Sequence, residues 1–173
     1  MLLGSPPFRN HPIVPLNRQD KAQGSLEYTI VTVSLSAHRE ILQPSTYPGE
    51  CWCFHGSEGQ AIVRLAVPVH VTGVSLEHIP KSLAHTGRID SAPRDFLIKA
   101  LESDSAQDGE ILGSFTYNED GKPIQYFPVM ARSDGKPTLF VELVITSNHG
   151  HPEYTCVYRL RVHGHMATEA DAK

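Results

Sequence analysis

Three cysteines, several histidines and two tyrosines are the residues with which this chain could do chemistry. Cys51-x-Cys53-x-His55 sets two sulfurs and an imidazole within five residues. A second cluster follows about a hundred residues later: Ser147-Asn148-His149-Gly150-His151-Pro152-Glu153-Tyr154-Thr155-Cys156-Val157-Tyr158. Sulfur and imidazole are zinc ligands. Zinc pairs, however, usually leave about two to four residues between cysteines, and Cys-x-Cys aims both sulfurs one way only in an extended segment. A disulfide or plain burial is the simpler reading. Three cysteines allow one long-range disulfide plus one thiol, or three thiols in a reducing compartment. Ten histidines could supply a Ser/His/Asp set by chance. No Gly-x-Ser-x-Gly elbow fixes the geometry such a set needs, so the expectation is that the chain is not an enzyme.

The elements that must position these residues are strands. From Cys156 onward, Cys156, Tyr158, Leu160 and Val162 fall on one face and Val157, Arg159, Arg161 and His163 on the other, the period-2 pattern of a half-buried strand. Further strands are predicted over 26–35, 61–67, 69–76, 95–101, 113–117, 124–128, 138–147 and 155–163. Asp108-Gly109, Asp120-Gly121 and Asp134-Gly135 punctuate them as turns. Residues 43–59 carry two prolines and several glycines and read as a long irregular loop. Helical periodicity is absent, so the fold expected is all-β, a compact antiparallel β-sandwich with little helix.

Size and composition bound the rest. A chain of 173 residues suits one domain, and 40% hydrophobic with 20% charged residues is ordinary for a globular protein. A net charge of −4 with no basic stripe argues against nucleic acid as a partner. No apolar run approaches the roughly 20 residues that cross a bilayer, and the apolar part of the N-terminus is too short for a secretory signal. The expectation is therefore no membrane segment in this chain.

Five separated motifs, in order, carry a resemblance. They are Ile41-Leu42-Gln43-Pro44 with Tyr47-Pro48-Gly49-Glu50-Cys51-Trp52, then Leu76-Glu77-His78-Ile79-Pro80-Lys81, Ser91-Ala92-Pro93-Arg94-Asp95-Phe96, Gly113-Ser114-Phe115-Thr116-Tyr117 and the Ser147–Gly164 stretch. Together they resemble the SUN domains, Sad1/UNC-like C-terminal modules of nuclear-envelope LINC-complex proteins. The resemblance covers 39–165; residues 1–38 are divergent, with one strand candidate, and 166–173 read as a flexible tail. It implies a galactose-binding-like β-sandwich on the lumenal, perinuclear side of the inner nuclear membrane. There such modules grip the C-terminal peptide of KASH proteins and couple the nucleus to the cytoskeleton, as homo- or hetero-trimers in the parent protein.

Residue by residue, the resemblance implies that His78, Ser91, Tyr154 and Tyr158 receive the peptide. Hydroxyls of Ser91 and Tyr158 would donate to its terminal carboxylate, and the rings of Tyr154 and His78 would pack on its prolines. It implies a loop for potassium or sodium, held mainly by carbonyls, at Gln43, Ser45, Glu50, Cys51 and Tyr158. It also implies a Cys51–Cys156 disulfide, which by chain entropy would stabilise the fold by roughly 4 to 5 kcal/mol. Departures from the pattern are Ser45 for a common Asp, Glu50 for Asn or Lys, His149 for Trp, and no match to the usual β-hairpin lid ahead of residue 39. Two alternatives stand beside this reading. One is a truncated domain that no longer binds KASH peptide. The other is a sandwich that recognises carbohydrate or another protein surface, motivated by Trp52 and the loop tyrosines.

Overall fold

The computed structural model of the chain describes residues 28–29, 42, 46–106 and 108–168. Its strands in chain order are β1 (Tyr28–Thr29), β2 (Trp52–His55), β3 (Gly59–Glu77), β4 (Asp95–Leu101), β5 (Glu110–Thr116), β6 (Ile124–Pro128), β7 (Thr138–Ile145), β8 (Tyr154–Val157) and β9 (Arg159–Met166), with one 3-10 turn at Lys81–Leu83. All pairings are antiparallel. The all-β fold expected from the alternation is what forms.

β3 organises the sandwich. The sequence reads as two strands, 61–67 and 69–76, divided by Pro68; the structure joins them into 19 residues. Pro68 has no N–H to give a ladder, and it sits where β3 changes partners. Ahead of it, Gly59–Arg64 pair with β7; after it, Val69 keeps one further pair with Thr138 of β7 while Val69–Glu77 pair with β9, and Gly73–Glu77 pair also with β6 on the other edge. One strand thus serves both a β5-β4-β7 layer and a β6-β3-β9-β1 layer. Inward residues from both sides close the core: Val63, Leu65, Val74 and Leu76 of β3, Phe96 and Ile98 of β4, Val141 and Leu143 of β7, and Leu160 and Val162 of β9, all essentially buried. Each such aliphatic side chain contributes roughly 1.5–3 kcal/mol when removed from water.

An extra residue in β3 resets which side chains point inward. Val71 pairs with Gly164 and Gly73 with His163, so Thr72 is a bulge. Before it the odd-numbered positions Ala61 through Val71 face the core; after it Val74, Leu76 and His78 do. The Thr72 carbonyl accepts the Val129 N–H at 3.0 Å, fixing the bulge against the segment after β6.

Several boundaries differ from the sequence reading, among them β5, which begins at Glu110, and β7, which ends at Ile145. The predicted strand 155–163 is broken at Tyr158: β8 pairs with β2, and β9 pairs with β3. A strand, β2, stands inside the predicted loop 43–59, because β8 supplies it with a partner. β9 also runs on to Met166, into what reads as tail. Of the predicted strand 26–35, Tyr28–Thr29 pair with β9 and the remainder lies outside the described residues, as does the rest of 1–38 apart from those two.

Gly164 is where strand crossing demands a missing side chain. A Cβ there would land on the main-chain carbonyl oxygen of His70, which the β3–β9 ladder holds in place. Gly164→Ala is expected to destabilise the fold by about 1–3 kcal/mol, read as a lower denaturation midpoint in urea; an unchanged midpoint would show that the two strands separate freely there.

Candidate functional site

The site grows from the β2–β8 pair. In its register Trp52 faces Val157, Cys53 faces Cys156, Phe54 faces Thr155 and His55 faces Tyr154. Cys53 and Cys156 form the disulfide, with Cα atoms 4.4 Å apart. This corrects the pairing implied by resemblance, Cys51–Cys156. Directly opposed residues at a narrow antiparallel pair have the separation a disulfide needs, whereas Cys51 lies one pleat further on, outside β2. Cys51 is the cysteine outside the disulfide, with its Sγ 3.4 Å from that of Cys53. The sulfurs of all three lie within 4.8 Å of one another.

A loop is laced to the other side of β8. Ser91 O accepts the Cys156 N–H at 2.8 Å, Asp90 O accepts from His151 N at 3.1 Å, and Ala92 O accepts from His149 N at 3.1 Å. Asn148 builds the intervening turn: its Nδ2 donates to His151 O, Tyr154 O and Thr155 Oγ1, and its Oδ1 accepts the Gly150 N–H. Sequence reading assigned no role to Asn148; the only sign was an Asn within a turn rich in Gly and Pro, where Asx side chains bond their own backbone. Asp95 fixes the same end, accepting from Ser147 Oγ at 2.7 Å and Thr116 Oγ1 at 2.8 Å.

These constraints bring the four residues singled out from sequence to one end of the sandwich. His78 follows β3 and is 3% exposed; Tyr158, at the β8–β9 break, is 4% exposed. Their rings meet edge to face with centroids 4.6 Å apart. Ser91 is tied to β8 through Cys156. Tyr154 is 39% exposed, its ring against that of His151 at 3.9 Å.

His78 is buried with half its hydrogen bonding unmet. The Ile79 carbonyl lies 3.1 Å from Nδ1 and can only accept, so the proton is on Nδ1. Nε2 is then an acceptor, and it is buried with no hydrogen-bond partner among the described residues. Burial holds the pKa down to about 4, against the Ile79 bond, which raises it. Tyr158 Oη accepts the Gly49 N–H at 3.1 Å. Burial pushes its phenol up, Gly49 opposes this, and contacts with Cys51 and Tyr154 add to the rise. Accepting there uses a lone pair of the phenol oxygen, so this bond is compatible with the hydroxyl donating to a carboxylate as the resemblance implies.

The loop itself is a type II turn: Pro48 at the second position, Gly49 at φ +88° at the third, and Glu50 N donating to Tyr47 O at 3.0 Å. Of the residues expected to hold a cation, Gln43 and Ser45 lie outside the described residues. Glu50 is exposed, Cys51 half-buried and Tyr158 buried. Their donor chemistry fits a hard monovalent ion through oxygen, with Cys51 able to serve only by its carbonyl because its sulfur packs on Cys53.

Zinc and carbohydrate readings fare differently. His55 is not gathered with the cysteines, since the one metal-capable cluster among the described residues is the three sulfurs. His149 Nε2 donates to Tyr117 O at 2.8 Å, and His151 Nδ1 accepts from the Glu153 and Tyr154 amides. Trp52, the residue that motivated a sugar platform, is 6% exposed and stacks on Phe54 at 4.7 Å.

With this geometry in hand the class is clear: a galactose-binding-like β-sandwich module. The family 32 carbohydrate-binding module of AlyQ, solved with 4,5-unsaturated mannuronic acid, superposes with a TM-score of 0.58 at 13% identity over 80% of this chain and 98% of that one. The family 32 module of EndoD from Streptococcus pneumoniae gives 0.56 at 12% identity over 76% and 88%. At such identities the likeness concerns the fold. Sequence identifies the family. The model described as "Sad1 / UNC-like C-terminal" matches residues 32–166. Human SUN domain-containing protein 1 is 51% identical over 126 residues, 73% of this chain and 16% of that protein. Mouse SUN domain-containing protein 2 is 50% identical over 129 residues, 75% of this chain and 18% of that protein. The chain belongs to the SUN domain family, and it spans less than a fifth of the length of these relatives. No helix among the described residues is long and apolar enough to cross a membrane.

His78 makes stability pH-dependent. Its folded pKa of about 4 lies below its ordinary 6.5. Between those values the unfolded chain binds a proton that the folded one refuses, so this contribution is intact above pH 6.5 and is lost as pH falls toward 4, amounting to about 3 kcal/mol. Melting curves should show the midpoint dropping across that window. In His78→Gln the drop should shrink; a parallel profile in the variant would sink the assignment.

Proposed function

We propose that this chain is a non-catalytic SUN-type binding module that captures the C-terminal peptide of KASH proteins in the perinuclear space, linking the nuclear envelope to the cytoskeleton. The observation that carries this reading is the convergence of His78, Ser91, Tyr154 and Tyr158 at the laced end of the sandwich, with a buried imidazole acceptor lacking a donor. Each residue then has a task. Ser91 donates to the peptide's terminal carboxylate, a charge-assisted bond. The exposed ring of Tyr154 packs on prolines, whose extended backbone loses little entropy on docking. His78 Nε2 accepts an N–H or O–H from the peptide, meeting a need the free domain leaves open. Tyr158 shapes the pocket wall and, through Gly49, sets the position of the turn beside it.

Isothermal titration with a KASH C-terminal peptide tests this. The free-acid peptide should bind, and its C-terminal amide should bind at least about tenfold more weakly, the scale of one hydrogen bond to a charged group. Ser91→Ala should lose a similar factor toward the acid and little toward the amide. Equal heats for acid and amide would refute carboxylate capture.

We further propose that potassium or sodium sits in the loop, held by oxygens of Gln43, Ser45, Glu50, Cys51 and Tyr158 and so ordering the turn that Tyr158 grips. Replacing potassium chloride by choline chloride at equal ionic strength should then lower the melting midpoint. No change in midpoint, and none in peptide affinity, would remove the ion from the account.

A further inference from the structure

The three sulfurs form a site of their own, independent of any peptide. Cys53 and Cys156 are bonded, and the Cys51 sulfur touches that bond at its Cys53 end, 3.4 Å away. A sulfur–sulfur bond is about 2.05 Å long, so Cys51 is about 1.4 Å from bonding distance. The three differ in setting: Cys53 is exposed, Cys51 half-buried and Cys156 6% exposed. Solvent therefore reaches Cys51 and Cys53, the end of the cluster where a proton must leave.

We propose that these residues are a thiol–disulfide exchange site in which Cys51 opens the Cys53–Cys156 bond from within. Cys51 loses its proton to water, and the thiolate attacks Sγ of Cys53. The Cys51–Cys53 bond forms as the Cys53–Cys156 bond breaks, and the electron pair leaves on Sγ of Cys156, which takes up a proton. One disulfide and one thiol stand on each side of the step, so no oxidant or reductant is consumed. Two features favour this direction. Alternate residues of an extended segment stand roughly 6.7 Å apart at Cα, within the roughly 6.8 Å that disulfides tolerate, so Cys51 and Cys53 can be bridged. Cys156, once released, is a buried neutral thiol, a setting cysteine commonly occupies. The exchange transfers the covalent tie from the β2–β8 pair to the Cys51–Cys53 hairpin. It leaves β2 and the turn at Tyr47–Glu50 held to β8 by hydrogen bonds alone.

Acid-quenched thiol mapping tests this. Oxidised protein is held without added thiol, quenched in acid denaturant, labelled with a maleimide and cut with trypsin, which separates Cys156 from the other two. Label should appear on Cys156 as well as Cys51. Its approach to a constant share should be roughly tenfold faster at pH 8 than at pH 7, because the thiolate is the nucleophile. In Cys51→Ser the label on Cys156 should vanish. Label confined to Cys51 at all times would overturn the proposal. Label moving to Cys53 with Cys156 always protected would overturn it too, since attack would then be at the other sulfur.

Discussion

A single added residue in β3 decides what the pocket contains. Without Thr72 the odd positions of the strand would stay inward to its end, and position 78 would face solvent. With it the parity changes, and His78 arrives buried against the ring of Tyr158. The bulge is anchored by the Val129 amide, and its cost includes a Thr72 hydroxyl buried with no hydrogen-bond partner among the described residues. A buried polar orphan of this kind is worth roughly 1–3 kcal/mol. Among the described residues three such atoms are orphaned, the Thr72 hydroxyl, His78 Nε2 and Arg161 Nε, and the first two trace to the same register shift.

The second constraint is the change of partner at Tyr158. One continuous strand would have kept residues 155–163 in one sheet. Because β8 pairs with β2 and β9 with β3, Tyr158 sits at a corner with access to two neighbourhoods. Its ring meets His78 in the pocket while its oxygen meets Gly49 and Cys51 in the turn. Pocket and turn therefore share an atom-level connection, and a disturbance on either side is felt through one phenol.

Much of this was legible in the residues. Period-2 alternation and the Asp-Gly turns carried the all-β architecture, and 95–101 and 124–128 form as strands with the limits read from sequence. The five motifs carried the family and gathered four residues that do come together. Sequence was silent wherever pairing decides. Nothing local announces that the β7 ladder breaks register across Pro68 as the β9 ladder begins, that Thr72 is supernumerary, or that β2 exists only because β8 lies opposite. The disulfide failed for the same reason. Resemblance implied Cys51 as the partner, but register set Cys53 against Cys156, and register is a property of two strands and not of either alone. Trp52 shows the converse, an aromatic that reads as a platform until burial shows it to be core.

The bond between Cys53 and Cys156 spans 103 positions, so every strand from β3 to β7 lies within one covalent ring. A protease that cuts a surface turn inside that ring, such as the one at Asp120-Gly121, would produce no separate fragments. The nicked molecule would travel as a single species for as long as that bond stands, and the domain can thus survive a broken backbone in a way that its strand ladders alone would not permit.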